Sequence, residues 1–367
     1  MEKTLIPVSK PFLPPKKELF DILNGVYDRN WLTNHGPLVK EFEQLLSDYI
    51  KHPSLKYVAN GTIALQVALQ AIFKRGEVIT TPFSYIATTS SIIWEGCIPK
   101  FVDIDEKSLN IDPKKIEASI TDNTIAILAT HIYGNPCNIE LISDISEKHN
   151  LPVIYDAAHC FGTKYKRKSI FHFGDISTVS FHATKLFHTV EGGAIFSNRP
   201  QYHRPIEGLM NFGHTDTNSF DMAGINGRNS EFHAAMGVCN FKYLDSILES
   251  RRIQWTNYNN LLQNLKKVRT IEINEQCDYN YAYYPLICST KELSDSIEKS
   301  LNKHNIQPRR YFSPSLNTIE LIPKEKFDTC PISESVSERV LCLPMYYSLL
   351  EKDQSRICSI ISQVVLD

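Results

Sequence analysis

The chain lacks several things that would have decided its class at once. No stretch of its 367 residues is apolar enough for long enough to cross a bilayer, and residues 1–10 carry Lys3 and Lys10 but no apolar signal-peptide core. The expected location is therefore the cytoplasm. Charge of one sign is also missing: 39 Lys and Arg stand against 41 Asp and Glu, a net charge of −2, with the basic residues scattered along the sequence. That leaves a nucleic-acid or anionic-membrane surface without an electrostatic footprint. Paired cysteines are lacking too. The nine cysteines (97, 137, 160, 239, 277, 288, 330, 342 and 358) are odd in number, widely spaced and never in a C-x-x-C pair, which speaks against a disulfide framework and a zinc site and for reduced, mostly buried thiols. With no internal repeat and no low-complexity tract, the expected partners are small molecules and a second copy of the chain.

What is present is an ordinary globular composition, 42% hydrophobic and 22% charged, in a chain long enough for two packed units. From about residue 55, short runs rich in Val, Ile and Phe alternate with segments of helical periodicity, the pattern of parallel strands joined by crossover helices. The runs predict strands at 56–59, 78–81, 99–104, 125–131, 152–155, 177–181 and 193–196. Helices are predicted at 63–73 and 85–94, after the Asp112 N-cap with Pro113 at the first helical position, and from about Ile139. The expectation is an α/β domain with a mainly parallel seven-stranded sheet covered on both faces. After about Asn240 a long polar helix with Arg251 and Arg252 leads to a smaller α/β unit, with strands expected at 283–288 and 308–312. The division expected is an N-terminal arm (1–30), a large domain (31–245) and a small domain (246–367).

Four predicted strand ends carry residues that invite chemistry. Asn60-Gly61-Thr62 lies between a strand end and a helix start, where backbone N–H groups, the helix dipole and a hydroxyl could receive a phosphate; equally, Thr62 could simply cap the helix while Gly61 turns the chain. Asp156 ends a buried apolar strand, a position that faces the ligand crevice of α/β folds and would suit a cationic ring nitrogen; the alternative is another helix cap. Lys185 follows the strand ending Ser180-Phe181 and precedes Glu191-Gly192-Gly193. A lysine in a loop is ordinarily a solvated charge, but one lying between hydroxyl residues and a diglycine turn behind an apolar strand is placed to lose its proton and form a Schiff base.

Taken with the runs NGTIAL (60–65), VDIDEKSLNIDP (102–113), HIYGNPCN (131–138), VIYDAAHCFG (153–162), SFHATKLFHTVEGGAI (180–195), GINGRNSEFHAAMG (224–237) and LCLPM (341–345), these residues closely resemble the DegT/DnrJ/EryC1/StrS group of sugar-nucleotide aminotransferases over nearly the whole chain. The resemblance implies an aspartate-aminotransferase-like fold and pyridoxal 5'-phosphate (PLP), alternating with its pyridoxamine form (PMP), as cofactor. It makes Lys185 the Schiff-base lysine and Asp156 the partner of the pyridinium nitrogen. His159 would lie against the ring, and Gly61, Thr62 and Ser180 would hold the phosphate. Asn226 or Arg228 would reach the phosphate of the neighbouring subunit, so the active unit should be a homodimer. His182-Ala183-Thr184-Lys185 with Glu191-Gly192-Gly193, and the WLTNHGP (31–37) and PFLPP (11–15) runs, are similar to relatives that use L-glutamate, yielding 2-oxoglutarate, to aminate C4 of a dTDP-sugar, dTDP-4-dehydro-6-deoxy-D-glucose, for O-antigen biosynthesis. Trp31, Thr33, His214 and Tyr311 would then line the sugar-nucleotide pocket, or else serve only in packing. The alternatives are amination at C3 of a dTDP-3-keto-6-deoxyhexose, a dehydratase of the same fold, which has His in place of the lysine, and a non-catalytic regulator.

Overall fold

A computed structural model describes residues 5–214, 216, 218–321 and 329–366. The chain opens with β1 (Ile6–Pro7), α1 (Lys16–Arg29), α2 (Pro37–Ile50), β2 (Leu55–Val58) and α3 (Gly61–Gln70). Next come β3 (Glu77–Thr80), α4 (Ile86–Trp94), β4 (Ile98–Phe101), the short α5 (Pro113–Ile116), β5 (Thr124–Thr130), α6 (Ile139–His149) and β6 (Val153–Asp156). A small hairpin of β7 (Lys164–Tyr165) and β8 (Lys168–Ser169) precedes β9 (Ile176–Ser180), β10 (Gly193–Ser197), α7 (Pro200–Leu209) and α8 (Glu231–Phe241). The remainder holds α9 (Leu244–Leu262), β11 (Val268–Arg269), β12 (Cys277–Asp278), β13 (Tyr284–Cys288), α10 (Lys291–Lys303), β14 (Ile306–Gln307), α11 (Pro331–Arg339), β15 (Val340–Leu343) and α12 (Glu351–Leu366).

The main sheet has the expected seven strands, in the order β2-β10-β9-β6-β5-β3-β4. All run parallel except β10, which is antiparallel to both neighbours. Strand β5 shows why the sheet must be covered on both sides. Ile127 and Ala129 pack with Phe42, Ile79, Val153 and Phe196 on one face, while Ala126 and Leu128 pack with Leu65, Val78 and Ile154 on the other. Alternate residues of one strand thus enter two separate cores, which is how an unbroken apolar run is accommodated in a parallel sheet. The Asp112 carboxylate caps α5 by accepting the Lys114 N–H at 3.1 Å, with Pro113 at the first helical position.

A third core joins β13 and β15 to α9, α10 and α12 through Trp255, Tyr258, Leu286, Ile297, Leu341 and Ile361. Here one expectation fails. Residues 308–312 do not form a strand; Arg309 makes only an isolated bridge with Cys342, and β13 lies between β11 and β15, pairing antiparallel with β15 over four residues. Pro308 has no N–H to give a ladder, and the chain's pairing ends one residue earlier, where Ile306–Gln307 takes the N-terminal Ile6–Pro7 as a parallel neighbour. Among the described residues no disulfide joins the cysteines, eight of which are buried, and no helix is long and apolar enough to cross a membrane.

Candidate active site

The carboxyl ends of β6 and β9 are adjacent, with Asp156 opposite Thr178, and β10 continues the edge by setting Gly193 opposite both Ser180 and Val58. A Cβ on Gly193 would come within 2.7 Å of the Asn60 backbone, so glycine is what allows the start of α3 to close over this edge. Gly61 is equally confined: a Cβ there would lie 2.9 Å from the Ser180 Cβ. Asn60 caps α3, its Oδ1 accepting the Ile63 N–H at 2.9 Å. The Gly61 and Thr62 N–H groups, at the first turn, have no helical carbonyl to bond and point the positive end of the helix dipole toward the Ser180 hydroxyl.

Between β9 and β10 the loop carrying Lys185 is pinned at both ends. The Phe181 N–H donates to Gly192 O at 2.7 Å and the Thr189 N–H to Phe181 O at 2.9 Å. Phe181 and Phe187 are buried against Phe161, with ring centroids 5.3 and 4.7 Å away. The apolar residues of the loop go into the core and leave Lys185, part-buried, in the wall of a cavity of about 410 Å³. Gly61, Thr62, Asp156, His159, Ser180, Lys185 and Tyr311 all line it.

Burial dominates the electrostatics. It lowers the Lys185 amine to about 8, against the opposing pull of the Asp156 charge. It raises Asp156 above the usual carboxylate range, while a 2.7 Å hydrogen bond from the Thr88 hydroxyl, a 3.1 Å bond from the Ala158 N–H and the Lys185 charge act the other way. Burial, helped by the Lys185 charge, drives His159 well below its ordinary value, so its ring is neutral near pH 7. That ring stacks parallel to Phe312 at 5.7 Å, and its Nδ1 has no hydrogen-bond partner among the described residues.

Several lining residues escaped the sequence reading. Ser84, Tyr85 and Thr88 come from the start of α4, and Tyr283 and Phe312 from the C-terminal part. Ser84 bonds to both Thr88 (2.8 Å) and Thr130 (3.2 Å), completing a buried hydroxyl chain that ends on Asp156. The strand-end logic that picked out Asp156 would have reached Ser84 and Tyr85 had it been applied to β3.

Five expected residues do not line this cavity within the chain. Trp31 donates its indole N–H to Thr33 O at 2.6 Å on an exposed loop, and the His214 ring lies 4.2 Å from Phe220. Asn226 accepts from Arg228 Nε at 3.2 Å, and the Arg228 guanidinium lies 5.1 Å over the Phe212 ring.

A helix N-terminus, an acid and a depressed amine meeting at one sheet edge define a class: the PLP-dependent aminotransferases of fold type I. The sequence profile of the DegT/DnrJ/EryC1/StrS aminotransferase family matches residues 15–362. The chain is 38% identical to the dTDP-4-amino-4,6-dideoxy-D-glucose transaminase of Shigella dysenteriae, over 99% of this chain and 100% of that one. It is 36% identical to the Escherichia coli transaminase of the same name, over 96% of each. Among solved structures it is similar to DesI, determined in the presence of its TDP-sugar product, with a TM-score of 0.94 and 28% identity over 99% of this chain and 93% of that one. The chain belongs to the DegT/DnrJ/EryC1/StrS aminotransferase family, sugar aminotransferases that depend on PLP.

The residues present fit that cofactor. Asp156 is a buried carboxylate in the cavity wall, the flat His159 ring presents an unpartnered nitrogen, and the Gly61–Ser180 contact leaves helix N–H groups beside a hydroxyl.

Proposed function

We propose that this protein transfers the amino group of L-glutamate to C4 of dTDP-4-dehydro-6-deoxy-D-glucose, giving dTDP-4-amino-4,6-dideoxy-D-glucose and 2-oxoglutarate. In this reading it works in the cytoplasm as a homodimer and supplies O-antigen or a related surface polysaccharide. The observation that carries the sugar assignment is the end-to-end match to the Shigella transaminase, which is named for this sugar.

Residue roles follow from the chemistry of the cavity. When bound, PLP supplies an electron sink for the pair left behind as a donor loses its α-proton. Lys185 Nζ would attach the cofactor and, once displaced by the donor amine, would take up and return that proton; an amine near 8 can do both at neutral pH. Asp156, its carboxylate steadied by Thr88 and the Ala158 N–H, would hold a proton on the ring nitrogen. His159 would pack on the ring face as a neutral imidazole, and Gly61, Thr62 and Ser180 would receive the phosphate. Asn226 and Arg228, together with Trp31, Thr33 and His214, would complete the cavity of the opposing subunit, whereas Tyr311 would meet the sugar from its own. The unit spanning 31–245 would hold the cofactor, and the unit spanning 246–367, joined by the arm at 1–30, would close over it.

The test is direct. Incubated with glutamate and dTDP-4-dehydro-6-deoxyglucose, the protein should yield a product whose NMR spectrum has the new amine at C4. An amine at C3, or no amine, overturns the assignment.

A further inference from the structure

Asp156, in the cavity wall, is one buried charge that the cofactor reading accounts for; Arg251, outside that wall, is another that it does not. Arg251 lies in the middle of α9, is only 5% exposed, and gives one N–H of Nη1 to the Met345 carbonyl. Its Nε has no hydrogen-bond partner among the described residues. The side chain borders a void of about 10 Å³, room for roughly one water, whose wall includes Thr184, Tyr283 and Tyr311 and contains no Asp or Glu. The same three residues also line the main cavity, so the void beside Arg251 and the space beside Lys185 share part of their walls.

A guanidinium buried without a counter-charge is costly, and breaking such a charge from its partner is among the larger penalties known in protein interiors. Burial lowers Arg251 to about 10, which still leaves it protonated at neutral pH. The neighbouring phenols cannot compensate: burial raises Tyr283 and pushes Tyr311 up to about 12, so both are neutral. A negative charge brought by a ligand in the adjoining cavity would compensate the guanidinium. In an amino donor the α-carboxylate sits one bond from the carbon that reacts at Lys185 and stays beside it. The far end of a dicarboxylic amino acid reaches further.

We propose that Arg251 is the subsite for the distal carboxylate of the amino donor, one carboxylate oxygen taking the place of a water in the void while the rest of the donor lies in the main cavity. This rests on the aminotransferase reading and adds to it a residue that selects glutamate over its neutral analogues.

The experiment uses the half-reaction of the PLP holoenzyme with a panel of L-glutamate, L-glutamine and L-alanine, which needs no sugar. The wild type should favour glutamate over glutamine. Arg251→Gln, which can still donate to the Met345 carbonyl, should lower kcat/KM for glutamate by about 10- to 150-fold, the usual range for a lost hydrogen bond to a charged group. The glutamine and alanine rates, and the reaction of the PMP form with the ketosugar, should stay within about threefold. A wild type indifferent to the distal charge, or a variant that slows all donors alike, overturns the proposal. Should the variant fail to fold, the wild-type holoenzyme crystallised with glutarate decides: a carboxylate bonded to Arg251 supports it, and glutarate bound with Arg251 untouched overturns it. Amination at C3 would sink the sugar assignment and leave this donor ratio standing.

Discussion

Asp156 and Ser180 stand at the ends of neighbouring strands whose pairing, Asp156 with Thr178 and Ser180 with Gly193, fixes where they point. Asn226 and Arg228 belong to a loop held against the same sheet by backbone contacts, the Val58–Arg228 bridge and the Ala59 N–H on Gly227 O at 2.8 Å, yet they face away from this chain's cavity. Both groups are tied to the main sheet. The difference is that the first is brought together within one chain, and the second, in the proposed reading, would serve the cavity of another.

The sharpest way to break that contrast is to remove the strand-end chemistry. Lys185→Ala should reduce amino transfer by on the order of 10⁴-fold, the upper range for loss of a proton carrier, while circular dichroism shows an unchanged fold; turnover within tenfold of wild type would show that the amine is not the carrier. The outer loop is tested by mixing subunits. Arg228→Ala should weaken PLP binding about tenfold, measured by equilibrium dialysis. Hybrid dimers of Lys185→Ala with Arg228→Ala should regain one wild-type site, because one cavity then has both intact residues. Hybrids no better than the Arg228→Ala homodimer would mean that the loop serves its own chain. The smallest effect concerns pH. Only the neutral amine captures the cofactor, and with Lys185 lowered to about 8, the rate of reconstitution of the apo protein with PLP should rise about fivefold from pH 7 to pH 8 and level off above about 9. A rate that climbs toward pH 10.5 would mean a solvated lysine.

The strand ends could be read in the sequence because buried parallel strands are written as unbroken apolar runs and their last residue is forced to the ligand edge. TIAILAT, VIYD and ISTVS left little freedom, and Asp156, Ser180 and Lys185 followed from them. The small sheet was harder. VLCL and PRRYF are both short and apolar enough to be strands, and only the competition for β13, in which Pro308 cannot donate, separates them. Thr88 was hidden for another reason: a threonine inside a helix is common, and its hydroxyl matters here only because β6 ends 2.7 Å away. Trp31, Thr33 and His214 show the limit of motif reasoning. Their residue types suit a sugar-nucleotide pocket, but they lie outside this chain's cavity, and a local pattern does not say which cavity a residue reaches.

The antiparallel course of β10 has a mechanical side. Crossover loops in such sheets hang from one strand and one helix, and they shift when the helix slides. The segment with Lys185 instead joins two strands paired to each other, bolted at Phe181 and Gly192, so sliding helices cannot drag it. In the proposed reaction the lysine would therefore swing on its own side-chain torsions above a stationary base, and the travel of the proton it carries would be set by the length of one side chain rather than by movement of the protein around it.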